Sequence, residues 1–186
     1  VIKLTKTMRN RYVLKEKAMS KKAYKVLALA YKPVGQMSEF KEDELILTGI
    51  VGLVDPPKDG VKEAVEKCKK AKMKPIMITG DSLSTAISIA KEIGILENEN
   101  EAISGAEIDK MTDDQLKNEV KKDSVYARVS PMNKLSIVNA WKQNNKIVAM
   151  TGDGVNDAPA LKAANIGVGM GITGTDVAKG AADLTL

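Results

Sequence analysis

Residues 147–161 read Ile-Val-Ala-Met-Thr-Gly-Asp-Gly-Val-Asn-Asp-Ala-Pro-Ala-Leu. A short apolar run ends at Thr151-Gly152-Asp153-Gly154, and the chain then turns into helix-forming sequence. A strand that delivers an acid-bearing glycine turn to a helix start is the repeating unit of open α/β sheets. The same punctuation recurs upstream. Pro75 to Ile78 ends at Thr79-Gly80-Asp81, and the next helix is expected to bury Leu83, Ala86, Ile87 and Ala90 before Gly94 stops it. Ile46 to Val54 ends at Asp55 and leads to a helix over Val61 to Ala71. Val125 to Val129 leads to Ser130 and Pro131, an N-cap and a first helical position, then to a helix burying Leu135 and Val138. Short segments at Ile166–Val168 and Leu184 complete the rhythm.

Parallel strands need long right-handed connections, so this alternation predicts an α/β fold: an open parallel sheet with helices on both faces. Ligands of such sheets sit beyond the carboxyl ends of the strands. Here those ends carry Asp55, Thr79-Gly80-Asp81 and Thr151-Gly152-Asp153. Glu97 to Lys122, rich in acids and interrupted by Ser104-Gly105, reads as a surface excursion.

Charge divides the chain. Residues 1–40 hold ten Lys/Arg and two acids while residues 41–186 hold 19 and 22, so the first stretch nets +8 and the rest −3. The net +5 is therefore local, and with one Phe, four Tyr and one Trp there are few stacking platforms, which argues against a nucleic-acid partner. Composition changes near Glu39–Glu44, giving two expected units, 1–42 and 43–186. The first, a helix of about Arg9 to Ala23 and a strand Val26 to Tyr31, is too small to stand alone and reads as the tail of a longer unit. No uncharged run approaches the ~20 residues of a membrane-spanning helix. Histidine is absent, which removes Ser-His-Asp catalysis, a His base and His-ligated metals. Cys68, the only cysteine, has no disulfide partner and lies on the apolar stripe of Val61, Ala64 and Val65.

A phosphate-handling site requires backbone N–H groups at a helix start, a hydroxyl donor, a fixed cation and carboxylates to hold Mg²⁺. All four types occur at the strand ends. Thr79 and Gly80 stand where a strand meets a helix, a place equally suited to ordinary capping. Lys134 falls in the first turn of its helix, where the helix dipole disfavours a cation, so alanine there is expected to fold equally well or slightly better. Asp153 and Asp157 can converge as their turn enters a helix, and two close carboxylates are costly without a cation between them, which points to Mg²⁺.

The strings DPPK (55–58), MITGD (77–81), ARVSPMNK (127–134) and MTGDGVNDAPALKAANIGVGMG (150–171), in this order and spacing, resemble the hinge and phosphorylation-domain motifs of P-type cation-transporting ATPases. AYKVLALAY (23–31) is similar to the end of their nucleotide-binding domain. The resemblance implies a haloacid-dehalogenase-like fold. It also implies that Thr79 and Gly80 contact the transferred phosphoryl group, Lys134 neutralises it, Asp153 ligates Mg²⁺, and Asn156 and Asp157 support the site. Asp81 and Arg128 would lie near the nucleotide's ribose and phosphates, and Lys25 stands where the family often has an arginine serving ATP. Lys58 takes the place of the hinge's commoner arginine, keeping the charge without the bidentate fork.

One element of the family is missing from these residues. Its nucleophile is the aspartate of a D-K-T-G-T motif, and only Thr173-Gly174-Thr175 echoes that string, after the GDGVND motif instead of before it. The expectation is thus an incomplete phosphorylation domain, at the cytoplasmic face of a membrane, from a pump that couples Mg-ATP hydrolysis to cation transport, calcium being the closest match in motif. Its partners would be ATP and the remainder of the same pump, and alone it should be inactive. Two alternatives stand beside it: a soluble haloacid-dehalogenase-type phosphatase with Asp55 as nucleophile, against which Pro57 takes the place of the usual second acid, and a non-catalytic nucleotide-binding module.

Overall fold

The computed structural model describes residues 4–33, 43–54 and 56–186. Asp55, the candidate nucleophile of the phosphatase reading, lies outside them, as does the point between residues 42 and 43 at which the sequence divides into two units.

Thr5 accepts from the Met8 amide and starts helix α1, Lys6–Ser20. The strand β1, Lys25–Tyr31, follows and pairs antiparallel with β2, Ile46–Leu53. This corrects the sequence reading, which gave the second strand to the parallel sheet. Apolar composition fits a strand of either kind, and what decides here is that β2 runs back along β1. The strand therefore pairs with β1 and with neither parallel sheet.

Beyond it the β-α rhythm appears as read. Helix α2 spans Val61–Lys70, and β3, Met77–Thr79, leads through the Ser82 cap into α3, Leu83–Glu92. Strand β4, Ala102–Ser104, short helix α4, Gly105–Ile108, and α5, Asp113–Glu119, precede β5, Val125–Ala127. Then come α6, Pro131–Gln143, β6, Ala149–Gly152, α7, Ala158–Ala163, β7, Ile166–Gly169, α8, Asp176–Ala181, and β8, Leu184–Thr185. Two three-stranded parallel sheets result, in the orders β3-β5-β4 and β6-β7-β8. The parallel α/β class holds, but among the described residues the single open sheet is two, with β3 and β6 each left as an edge. Glu97–Lys122 is likewise no surface excursion. It supplies β4 and two helices, and Ile103, Ile108, Leu116 and Val120 from it are buried. Four apolar residues scattered among acids gave too sparse a stripe to be read as core.

Alternation along β5 puts helices on both faces of the first sheet. Val125 and Ala127 pack with Ala86 and Ala90 of α3, while Tyr126 packs with Ile137 and Ala140 of α6 and with Leu116 and Val120 of the α5 region. Helix α6 also turns Val138 to Met150, Ala160, Leu161 and Ala178, the core of the second sheet. One helix thus serves both cores. No described helix is long and apolar enough to cross a membrane.

The first core holds one costly group. Asp123 is 2% exposed, and its Oδ2, the Tyr126 hydroxyl and the Trp141 indole nitrogen have no hydrogen-bond partner among the described residues. Lys74 covers this corner, donating to the Lys121 and Asp123 carbonyl oxygens and lying 5.2 Å from the Trp141 ring centre. Burial, aided by the nearby Glu119 charge, pushes the Asp123 carboxyl up to about 6. A carboxyl raised in the fold contributes stability that is full below its unfolded value near 4 and is lost as pH rises through about 6. Asp123→Asn should therefore flatten that slope and stabilise the chain at pH 8 by roughly 2 kcal/mol, with little gain at pH 4. Urea unfolding at the two pH values measures it, and an equal change at both would show that the carboxyl's ionisation is not the cause.

Candidate phosphoryl-transfer site

Two turns at carboxyl ends of edge strands carry the chemistry. At the first, β3 ends on Thr79, whose hydroxyl donates to Asp81 Oδ2 at 3.0 Å and accepts from the Asp81 amide at 3.1 Å. Gly80 is exposed and has no atom near the position a Cβ would take, leaving its face open to a ligand. Ser82 caps α3 by accepting from the Thr85 amide. The loop after β5 is stitched to this turn, the Arg128 amide donating to the Asp81 carbonyl at 3.1 Å and the Val129 amide to that of Thr79 at 3.4 Å. Arg128 is exposed and has φ +50°, a left-handed backbone that costs a side-chain-bearing residue energy. Strain held after β5, in a loop bonded to the β3 turn that carries Thr79 and Asp81, marks the loop as part of a site.

At the second turn, β6 ends on Gly152, and Asp157 folds back beneath it. Asp157 is 6% exposed; its Oδ2 accepts from the Asp153 and Gly154 amides at 3.2 and 3.1 Å, and its Oδ1 from Lys134 Nζ at 2.6 Å. A Cβ at Gly152 would lie 2.5 Å from the Asp157 Cβ, so glycine is what lets the carboxylate tuck under the strand end. Burial alone would raise the Asp157 carboxyl, but the Lys134 ammonium and the two backbone amides outweigh it and hold it below the usual carboxylate range. This arrangement corrects two expectations. The cation that relieves Asp157 is Lys134, so no metal is needed between Asp153 and Asp157. Nor should alanine at 134 fold equally well: the Lys134 side chain is 19% exposed and ion-paired, which more than offsets the unfavourable dipole of the first turn of α6.

Asp153 remains as the metal candidate. It is exposed, and its carboxylate makes no hydrogen bond or ion pair among the described residues, while its amide is taken by Asp157. No group of three or more acidic, Cys or His side chains is gathered among the described residues. That suits Mg²⁺, which is commonly held by one or two carboxylates together with waters and substrate phosphates instead of a protein cage.

The structure brings Thr79, Gly80, Asp81 and Arg128 into one cluster and Lys134, Asp153 and Asp157 into another, joined through the Ser130-capped start of α6. Asn156 is exposed and its side chain makes no hydrogen bond among the described residues. Lys25, at the start of β1, is exposed and pairs through its backbone opposite Leu53. Its nearest tie to the site is indirect: the neighbouring Tyr24 carbonyl accepts from Thr85 of α3 at 3.3 Å. Sequence reasoning passed over Asn133, whose Oδ1 accepts from Ser130, Gly105, which lies against the Arg128–Val129 loop, and Asp109, which accepts from Asn133. The capping spacing of Ser130 and Asn133 was the one available signal.

Residues 5–165 match the haloacid dehalogenase-like hydrolase family. The whole chain is similar to "Calcium-transporting ATPase 1" of Lactococcus lactis, at 47% identity over 190 residues and 22% of that protein. It is 46% identical to human "Calcium-transporting ATPase type 2C member 1" over 98% of the chain and 19% of that protein. A "P-type sodium-transporting ATPase4" of Toxoplasma gondii is 41% identical over 90% of the chain and 15% of that protein. The chain thus spans about a fifth of the length of the relatives it matches.

Proposed function

Because this chain belongs to the haloacid dehalogenase-like hydrolases, and within them to the P-type ATPases, we propose that it builds the phosphoryl-transfer site of a pump that couples Mg-ATP hydrolysis to cation transport. Calcium is the favoured ion, as in the names of the bacterial and human relatives, although the sodium-transporting relative shows that similarity in this segment does not fix the choice. The observation that carries the reading is the Lys134–Asp157 pair, wired to the amides of the β6 turn and joined through α6 to the Thr79–Asp81 turn.

The nucleophile in this proposal is an aspartate in a D-K-T-G-T segment of the longer protein, outside these 186 residues. Edges β3 and β6 lack a neighbour on one side among the described residues, and a parallel strand entering there would bring its carboxyl end beside both turns. Its carboxylate oxygen attacks the γ-phosphorus, the bond to the bridging oxygen breaks, and ADP leaves with that electron pair. Lys134, oriented by Asp157, neutralises charge on the transferred oxygens, and the Gly80 amide and the Thr79 hydroxyl, released from Asp81, donate to them. Arg128 and Asp81 address the nucleotide, Lys25 serves ATP from the first unit, and Asn156 lends support at the turn. Asp153 would hold Mg²⁺, which when bound would neutralise charge on the phosphates. The segment works at the cytoplasmic face of the membrane, against the remainder of the same pump.

Labelled ATP tests this. The full-length protein should form an acid-stable phosphoenzyme, and Asp153→Asn should raise the Mg²⁺ concentration it needs at least about tenfold. Label on Asp55 of the isolated chain would instead establish the phosphatase, and ATP binding by the full-length protein without any phosphoenzyme would establish a binding module.

A further inference from the structure

Gly105 opens α4 directly beneath the strained loop. It is buried, and a Cβ there would fall inside contact distance of the Arg128 carbonyl oxygen and within 3.1 Å of the Val129 Cα and of Asn133 Oδ1. From the other side, the Arg128 and Val129 amides reach Asp81 and Thr79. The loop is therefore clasped between α4 and the Thr79–Asp81 turn, with its backbone in the left-handed region at Arg128. Further along α6, Asn133 is buried and committed to Ser130, its Oδ1 accepting from both the Ser130 amide and hydroxyl at 2.8 Å, and its Nδ2 donates to Asp109 Oδ1 at 2.7 Å. Lys134 is the next residue.

We propose that Gly105 and Asp109 are positioning residues of the phosphoryl-transfer site: Gly105 lets the loop seat so that Arg128 faces the nucleotide, and Asp109, through Asn133, fixes the first turn of α6 from which Lys134 reaches Asp157. The proposal rests on the reading of the site given above. It assigns function to the stretch 97–122, whose acids otherwise read as plain surface. The division of labour is specific. Gly105 acts through Arg128 and so governs nucleotide affinity, whereas Asp109 acts through Asn133 on Lys134 and so governs the rate of transfer.

The test is phosphoenzyme formation by the full-length protein as a function of ATP concentration. Gly105→Ala should raise the half-saturating ATP concentration about tenfold or more, Arg128→Ala should raise it similarly, and the double variant should be no worse than Arg128→Ala alone, because both changes remove one interaction. Asp109→Ala should lower the maximal rate about tenfold or more with little change in half-saturation. Asp109→Asn, whose amide oxygen still accepts from Asn133, should recover most of that loss. Unfolding midpoints accompany each measurement. Additive effects in the double variant, or midpoints that fall while the kinetics of Asp109→Ala stay unchanged, would assign these residues to packing alone and overturn the proposal. Absence of phosphoenzyme in the unsubstituted protein would instead overturn the reading on which it rests.

Discussion

In the full-length protein, Lys134→Ala should lower the rate of phosphoenzyme formation by about 10²–10³, the scale for removing one preorganised charge-stabilising donor. Stability should fall with it. Asp157 would keep its two backbone amides but lose the ammonium at 2.6 Å while remaining 6% exposed. Removing one partner of a fully buried pair costs about 3–5 kcal/mol; with Lys134 still 19% exposed and the amides retained, about 1–3 kcal/mol is expected here. The pH profile carries the signature. A carboxyl depressed in the fold contributes stability that is present above its unfolded value and lost as pH falls through the folded one, so the parent should lose stability in acid. Without Lys134 the depression shrinks and so does the acid loss. Lys134→Arg should rescue the rate only in part, since the longer planar fork replaces a compact ammonium. Quenched-flow phosphorylation and urea unfolding between pH 3 and pH 7 measure both effects. An unchanged rate would remove Lys134 from the site.

Gly152→Ala should do comparable damage without touching a charged group. The added methyl would meet the Cβ, Cγ and Oδ2 of Asp157 at 2.5, 2.9 and 3.0 Å. Asp157 cannot swing away cheaply, because three hydrogen bonds pin it. Either those bonds open or the end of β6 moves. Overpacking of this kind costs typically 1–3 kcal/mol, and a displacement of about 1 Å at Lys134 is enough for a loss on the order of 10²-fold in rate. Gly80→Ala is the control for methyl addition at a glycine after a strand-end threonine, since its Cβ would meet nothing within 4 Å and should leave the fold intact. If Gly152→Ala kept both stability and phosphorylation, the close fit of Asp157 under β6 would be wrong.

What the sequence disclosed was set by how local each signal is. Ser130 and Pro131 begin α6 through contacts within one turn, and both TGD strings sit at strand ends, so those elements and the sidedness of the site could be read directly. Pairing is not local. Whether Ile46–Leu53 joins a parallel sheet or folds back on β1 depends on residues as far away as Lys25 is from Leu53, and its apolar composition suits either outcome. The partner of Asp157 was hidden for the same reason. Spacing placed Asp153 and Asp157 near each other, whereas the neutralising charge comes from Lys134, 23 residues earlier. Gly105 was hardest to see, because its use is the absence of a side chain under a loop from another strand.

Helix α6 has Ile137 and Ala140 in one core, Val138 in the other, and Lys134 one turn from its start. It behaves as an axle common to two wheels. Neither sheet can be re-spaced or tilted against the other without rolling this cylinder, and a roll of a few degrees is felt first at the ammonium that tips its leading turn. A displacement of either sheet is therefore passed to the other core through one helix, and through its first turn to the ammonium that holds Asp157.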